Sequence, residues 1–321
     1  MSELKEKSFD MSVFGFDGTG VQVQGFERDE SLPIPTLKEE YIFHKDTLRD
    51  VINFIDCAFD EGLLLKGPTG CGKTSVIQQV LSRLNYPTQL FSCGGSTEFM
   101  DLVGQWTLVK GETVWMDGCL TIAMRDGHSL ILDEVDLVAP EQLANLNAIL
   151  DGDNLVISQL NGKVIKPHKN FRIFATANNA NSDSSGLYAG TQPLNIAFMD
   201  RFRTLKVDYA AKEVEVDILG KVASAIPPII RENMVELANK VRTVFKGESD
   251  TDEVEMSVTF STRTLVRWAI QTQRCQRADC AISYALDRAL LNRCSDQSEV
   301  EAINAWAIAL FGDEFKPESM K

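Results

Sequence analysis

Short apolar runs and helical patterns alternate through the first two thirds of the chain. Residues 63–65 form an apolar run, and the segments 129–132 and 171–178 contain two more. Runs of this length are typical of buried parallel strands. A further strand is predicted over 204–209, while 48–59 has its apolar side chains at helical spacing, which predicts an amphipathic helix before the first strand. This alternation predicts an α/β fold.

The pattern changes after Lys212, where helical spacing replaces the short apolar runs. The predicted helices in this part of the chain are 214–226, 229–245, 264–274, 278–293 and 299–310. Ser298 and Glu301 have the spacing of a capping box for the last helix. The chain is therefore predicted to have an N-terminal arm (1–40), a core of alternating strands and helices (41–210) and a helical region (211–321).

The composition predicts a soluble globular protein. The 321 residues are 44% hydrophobic, which is enough for two or three compact units. No segment approaches the roughly 18 apolar residues of a membrane helix, and the start has no apolar signal core, so we expect a cytoplasmic protein. The seven cysteines are scattered and form no CxxC pair, which favours free thiols over zinc ligands or disulfides. The net charge of −14 disfavours a nucleic-acid surface but leaves a local basic patch open.

A glycine-rich loop, GPTGCGKT at 67–74, matches the pattern GxxxxGK[ST]. It lies between a predicted strand and a predicted helix, which is the order that this pattern requires. Its backbone N–H groups can close around phosphate oxygens, Lys73 can reach the β and γ phosphates, and Thr74 can offer a hydroxyl to Mg²⁺. The predicted nucleotide-binding residues are Gly67, Pro68, Thr69, Gly70, Cys71, Gly72, Lys73, Thr74 and Ser75. ATP and Mg²⁺ are therefore the expected cofactors.

Two carboxylates, Asp133 and Glu134, directly follow the apolar run 129–132. A phosphate loop needs a carboxylate that holds the metal and a group that activates the attacking water. We assign Asp133 to Mg²⁺, together with Thr74, and Glu134 to the water. Asn178 ends the next strand and is assigned to the γ-phosphate and the water, with Asn179 as the alternative; an asparagine chosen for turn geometry is a third interpretation.

Arg201 precedes an aromatic residue, Phe202, and then the predicted strand 204–209. An arginine in this place can reach the γ-phosphate of a neighbouring subunit, where its permanent charge stabilises the transition state. We therefore assign Arg201 as an arginine finger, and Arg203 is the alternative. A structural salt bridge would also explain an arginine here.

These elements, in this order, resemble an AAA+ ATPase. The segment 106–116 is predicted to form two short strands, and 155–165 a hairpin with an Asn-Gly turn. They are similar to the helix-2 insert and the pre-sensor-1 hairpin of MoxR-like ATPases. Trp106 and Trp115 on the first insert suit either a partner contact or cross-strand packing. The resemblance implies a P-loop core with a five-stranded parallel sheet, followed by a small all-α lid in which Arg263 occupies the sensor-2 position and contacts the γ-phosphate.

Longer segments are similar to the CobS subunits of aerobic cobaltochelatase. These segments are 13–17, 101–104, 165–178, 185–202 and 310–315. The resemblance implies a homo-oligomeric, typically hexameric ring that hydrolyses ATP and acts with a CobT-like protein carrying a von Willebrand A domain, in metal insertion. Two alternatives remain open: a nucleic-acid remodelling ATPase similar to McrB-type restriction motors, and a nucleotide-controlled assembly module with little turnover.

Overall fold

The fold was obtained as a computed structural model. The structure describes residues 4–58, 60–178, 191–247, 256–275 and 277–316. The chain divides into two compact units, the first comprising Met1–Glu39, Phe43–Pro68 and Lys73–Val207 and the second comprising Glu40–Ile42, Thr69–Gly72 and Asp208–Lys321. Among the described residues, no helix combines the length and apolar character needed to cross a membrane.

Strands dominate the first unit and helices the second. The strands along the described residues are β1 (Glu6–Asp10), β2 (Gln22–Phe26), β3 (Gly62–Lys66), β4 (Thr88–Ser92), β5 (Gly104–Val109), β6 (Glu112–Asp117), β7 (Ser129–Asp133), β8 (Leu155–Ile157), β9 (Lys163–Ile165), β10 (Arg172–Ala177) and β11 (Phe202–Lys206). The α-helices are α1 (Lys45–Asp56), α2 (Lys73–Arg83), α3 (Phe99–Val103), α4 (Cys119–Asp126), α5 (Pro140–Leu143), α6 (Asn147–Leu150), α7 (Ile196–Met199), α8 (Lys212–Val222), α9 (Pro228–Phe245), α10 (Thr262–Arg274), α11 (Ala281–Ala289) and α12 (Gln297–Phe311).

A five-stranded sheet forms the centre of the first unit, with the strand order β11-β3-β10-β7-β4 and every neighbouring pair parallel. Leu63, Leu64 and Leu65 of β3 are fully buried, as expected for a strand that is covered on both faces. The five-stranded parallel sheet implied by the sequence resemblance is confirmed. Because β10 lies between β3 and β7, the loops that follow these three strands meet at one edge of the sheet.

The first and last residues predicted for the first helix differ from those in the structure. Helix α1 begins at Lys45, ends at Asp56 and buries Leu48, Val51 and Ile55. The sequence prediction started three residues later because it began from the first apolar residue of the stripe, whereas the polar first turn is already helical. The predicted end at Phe59 lies outside the described residues.

Both predicted inserts are antiparallel hairpins. Strands β5 and β6 pair with Trp106 opposite Trp115, and the two rings meet edge to face with centroids 5.6 Å apart. The turn at Lys110 has φ 52° and the next residue, Gly111, has φ 87°, the left-handed pair that tight hairpins require. The two indoles therefore do pack across the strands, and a partner contact of Trp106, which is 52% exposed, stays a prediction. Strands β8 and β9 form the second hairpin, which also contains a 3₁₀ turn, Ser158–Leu160.

The second unit packs helices α8 to α12 around a core that includes the fully buried Trp268. The predicted capping box of the last helix is wrong. Helix α12 begins at Gln297, and its N-cap is Asp296, whose carboxylate accepts a hydrogen bond from the backbone N–H of Ser298. Aspartate is among the residues that cap helices best, so the helix starts one turn before its apolar stripe.

Candidate functional site

The glycine-rich loop folds around the side chain of Lys73, which begins α2 and is only 7% exposed. Lys73 Nζ donates hydrogen bonds to the carbonyl oxygens of Gly67 (2.8 Å) and Pro68 (3.0 Å). Gly70 and Gly72 have φ values of 73° and 96°, in the left-handed region that side chains with a Cβ rarely adopt. The glycines thus permit the turn that lets Lys73 Nζ reach the carbonyl groups of Gly67 and Pro68.

Asp133 ends β7, and its carboxylate meets two hydroxyl groups. Its Oδ1 accepts hydrogen bonds from Thr74 Oγ1 at 2.5 Å and from Thr176 Oγ1 at 2.6 Å. Its Oδ2 accepts none from the residues that the structure describes. Carboxylate and hydroxyl oxygens are the ligands that Mg²⁺ uses, directly or through its water shell. Asp133 and Thr74 therefore fit the metal role assigned to them, with Oδ2 available to the metal or its water.

Glu134 follows Asp133 in a left-handed backbone conformation, with φ 61° and ψ 49°, and its side chain is exposed. This conformation costs a non-glycine residue about 1–2 kcal/mol, so neighbouring contacts must hold it. The backbone N–H of Glu134 donates to Thr176 Oγ1 at 3.0 Å. Thr176 therefore connects both acidic residues, a role that sequence reasoning missed. The available signal was a hydroxyl side chain within the apolar part of the strand, residues 173–177.

Asn178 follows β10 and lies beside Lys73. Its Oδ1 accepts a hydrogen bond from Lys73 Nζ at 3.0 Å, and its backbone N–H donates to Asp136 Oδ2 at 2.9 Å. Asp136 is 2% exposed, and this burial raises the pKa of its carboxyl group, while the N–H of Asn178 acts in the opposite direction. Sequence reasoning gave Asp136 no role, and the alternative Asn179 lies outside the described residues. The structure therefore brings Asn178 to Lys73 and fixes it through Asp136.

Arg201 and Arg203 both form ion pairs within the chain. Arg201 Nε lies 2.9 Å from both carboxylate oxygens of Asp151, and its Nη1 donates to a carbonyl of α7. Arg203 Nε donates to Glu61 Oε1 at 3.0 Å, and its guanidinium lies over the ring of Phe54. The salt-bridge interpretation thus describes both side chains within one chain, and a role of either arginine toward a neighbouring subunit stays a prediction.

Arg263 lies in the first turn of α10, in the second unit, and its side chain is exposed. It forms no hydrogen bond or ion pair with the residues described in the structure. The N-cap of α10 is Ser261, which packs against Gly70 of the glycine-rich loop. A Cβ added to Gly70 would lie only 2.5 Å from the Cβ of Ser261. The assignment of Arg263 to the γ-phosphate also remains a prediction.

Comparison with known proteins agrees with this arrangement. Residues 62–202 match the model of an AAA domain of the dynein-related subfamily, and residues 215–309 match the C-terminal model of the CbbQ/NirQ/NorQ group. The chain is 30% identical over 314 residues to the aerobic cobaltochelatase subunit CobS of Sinorhizobium sp, covering 95% of this chain and 90% of that protein. The chain belongs to the MoxR-like AAA+ ATPases. It is also 31% identical over 256 residues to the protein NorQ of Paracoccus denitrificans, covering 79% of this chain and 88% of NorQ.

The candidate site residues of this MoxR-like AAA+ ATPase fall into two different regions, one matched by each family model. The AAA model starts with β3 and ends where β11 begins, so it includes the loop, Asp133, Glu134, Asn178 and Arg201. The C-terminal model includes Arg263. The resemblance to CobS and the α/β AAA+ fold, both predicted from the sequence, are confirmed.

Proposed function

We propose that this AAA+ ATPase forms a homo-oligomeric ring, expected to be hexameric, and hydrolyses ATP to remodel or activate a partner. In this proposal it works with a CobT-like protein that carries a von Willebrand A domain, in metal insertion. The observation that carries the ATPase proposal is the convergence of Lys73, Thr74, Asp133, Glu134 and Asn178 at the edge of the sheet where β3, β7 and β10 end. The similarity to CobS supports the partner and the metal insertion.

Each residue of this edge has a chemical role in the proposal. The backbone of residues 67–75 and Lys73 bind the phosphates of ATP, and Thr74 and Asp133 hold Mg²⁺. Mg²⁺, when bound, offsets the negative charge that develops on the phosphate oxygens. Glu134 orients the attacking water and accepts its proton, and Asn178 contacts that water and the γ-phosphate.

The proposed roles of the arginines require a ring and a lid. Arg201 of one subunit would reach the γ-phosphate held by the next, after exchanging its ion pair with Asp151 for the phosphate; Arg203 remains the alternative. Arg263 would contact the same phosphate from the lid. In this proposal the chain consists of an arm (1–40), a core (41–210) and a lid (211–321).

The variant Glu134→Gln tests the catalytic assignment. The amide cannot accept the proton, so we expect kcat to fall by at least about 100-fold while the Kd for ATP stays within about twofold. The measurements are phosphate release and equilibrium ATP binding in the presence of Mg²⁺. Glu141→Gln, an exposed glutamate at the start of α5, is the matched control and should keep full activity. Undiminished hydrolysis by Glu134→Gln would refute the assignment.

The same variant tests the partner. Because it should hold ATP without turnover, it should stay in the ATP-bound assembly and retain a bound partner. We expect a von Willebrand A domain protein to co-purify with it from the native lysate in Mg²⁺ and ATP, but not with Lys73→Ala. Recovery of a nuclease, or salt-dependent DNA binding, would contradict the proposal and favour the nucleic-acid remodelling alternative.

A further inference from the structure

A buried ion pair, Glu215 with Arg242, lies in the second unit. The two side chains are 0% and 5% exposed, and they form a fork in which Arg242 Nη1 and Nη2 donate to the two carboxylate oxygens at 2.7 and 2.9 Å. Arg242 Nε also donates to the carbonyl of Phe260, and Thr262 Oγ1 donates to Glu215 Oε1, both at 2.6 Å. These bonds connect α8, α9 and the start of α10, so the position of the Arg242 guanidinium is fixed.

Tyr209 lies against this fixed cation. The carbon of the Arg242 guanidinium is 4.1 Å from the centre of the Tyr209 ring, a distance at which cation and ring attract each other. The hydroxyl of Tyr209 donates a hydrogen bond to the backbone carbonyl of Thr69 at 3.1 Å and lies 3.3 Å from Thr259 Oγ1. Since a tyrosine hydroxyl has one proton, which the Thr69 carbonyl receives, the hydroxyl of Thr259 must donate in the second contact.

The contact with Thr69 fixes a peptide group of the glycine-rich loop. A trans peptide is planar, so its N–H points opposite to its C=O. Holding the carbonyl of Thr69 toward Tyr209 therefore directs the N–H of Gly70 away from Tyr209. Gly70 has little freedom to move, because Ser261 packs at the place where its Cβ would be. All of these residues belong to the second unit.

We propose that Tyr209 is a positioning residue, which orients the Thr69–Gly70 peptide so that the N–H of Gly70 can bind a phosphate oxygen, and that the Glu215–Arg242 pair holds Tyr209 in place. This inference rests on the proposed ATP binding by residues 67–75. Tyrosine suits the role because its ring stacks on a cation while its hydroxyl reaches a polar backbone atom. Phenylalanine would keep the ring contact with Arg242 and lose the hydrogen bond to the carbonyl of Thr69.

The variant Tyr209→Phe is the direct test. We expect the Kd for ATP to rise about 3- to 10-fold, the effect of losing one hydrogen bond that preorganises the loop. The value of kcat at saturating ATP should change less than about twofold, and Tm less than about 2 °C, because the ring contact remains. Tyr284→Phe is the matched control. Tyr284 also stacks on an arginine, Arg288, but its hydroxyl makes no hydrogen bond with a described residue, so the Kd should be unchanged.

A second variant tests whether the buried pair acts through Tyr209. Arg242→Lys keeps the charge but loses the forked contact and the planar stacking surface. We expect a higher Kd for ATP and a lower Tm than in the unaltered protein. Adding Tyr209→Phe should then raise the Kd no further, because the hydroxyl is already displaced. Fully additive effects of the two substitutions would contradict the inference.

The outcomes separate this inference from the proposed function. If the unaltered protein binds ATP but Tyr209→Phe binds it equally well or more tightly, the positioning role is refuted while the ATPase proposal stands. If the unaltered protein does not bind ATP, both are refuted. A selective increase in Kd with unchanged kcat and Tm supports both.

Discussion

The two units of this ATPase bury a cation equally well but give it different partners. Lys73 is 7% exposed in the first unit and Arg242 is 4% exposed in the second. Lys73 donates to neutral oxygens of Gly67, Pro68 and Asn178, whereas Arg242 meets the full negative charge of Glu215 in a fork. A carboxylate in such a fork cancels much of the field of the cation, whereas each neutral oxygen only satisfies a hydrogen bond. Burial raises the pKa of the Asp136 carboxyl group, and the charge of Lys73 also acts on that group, in the opposite direction. The forked carboxylate therefore marks Arg242 as a structural cation, whereas the hydrogen bonds to Gly67 and Pro68 hold Lys73 against its own loop.

The two units also differ in how their acidic side chains, Asp133 and Glu215, are hydrogen-bonded. Asp133 accepts two hydroxyl donors at one oxygen, while both oxygens of Glu215 are used by Arg242 and Thr262. Removing charge should therefore affect catalysis in the first unit and stability in the second. Three substitutions test this contrast, beginning with the largest expected effect.

Glu215→Gln should lower the free energy of unfolding by about 3–5 kcal/mol, because it leaves the buried Arg242 without its countercharge. Urea unfolding measures the change. Glu236→Gln is the control in the same unit, where Glu236 pairs with Lys212 and both side chains are about half exposed. A surface pair of this kind contributes at most about 1 kcal/mol. Equal destabilisation by the two substitutions would remove the distinction drawn for the second unit.

Asp133→Asn should lower kcat about 100-fold, which corresponds to about 2.7 kcal/mol of transition-state stabilisation, because a neutral amide holds the metal or its water shell poorly. The free energy of unfolding should change by less than about 1 kcal/mol, since the amide oxygen can still accept the hydroxyls of Thr74 and Thr176. Steady-state phosphate release and urea unfolding check the two parts. Asp153→Asn, an exposed aspartate, serves as control. A large loss of stability without a catalytic defect would contradict the contrast.

Thr176→Val should have the smallest effect, a decrease in kcat of about tenfold. The change removes the acceptor for the N–H of Glu134 and one of the two donors to Asp133, so the left-handed turn at Glu134 is held less firmly. Loss of this part-buried hydrogen bond should also lower the free energy of unfolding by about 1 kcal/mol. Thr272→Val is the matched control, because Thr272 is also buried but its hydroxyl has no hydrogen-bond partner among the residues that the structure describes. If both variants behave alike, Thr176 does not position Glu134.

Sequence patterns predicted the elements whose signal is local. The buried runs that became β3, β7 and β10 and the helical spacing of α9 and α10 were identified, because a few consecutive side chains suffice to define each period. The edge strand β4 was not predicted. Its burial alternates, since one face of an edge strand is only partly covered, and five residues give a weak signal. The helix cap at Asp296 was missed for a similar reason, because it lies outside the apolar stripe.

Local sequence patterns also identified part of the candidate site. The sequence by itself determined the loop at 67–74, the acidic pair after β7 and the polar end of β10, because each depends on residue types at short spacing. Their catalytic roles stay predictions.

Only the tertiary structure decided which side chains meet. The bonds from Thr176 to Asp133, from Lys73 to Asn178 and from Tyr209 to Thr69 join residues 43, 105 and 140 positions apart. The sheet order places β10 between β3 and β7, and helix packing places Arg242 under Tyr209. Neither arrangement leaves a periodic trace in the chain, because residues so far apart are brought together by packing between elements rather than by the repeat of any one element.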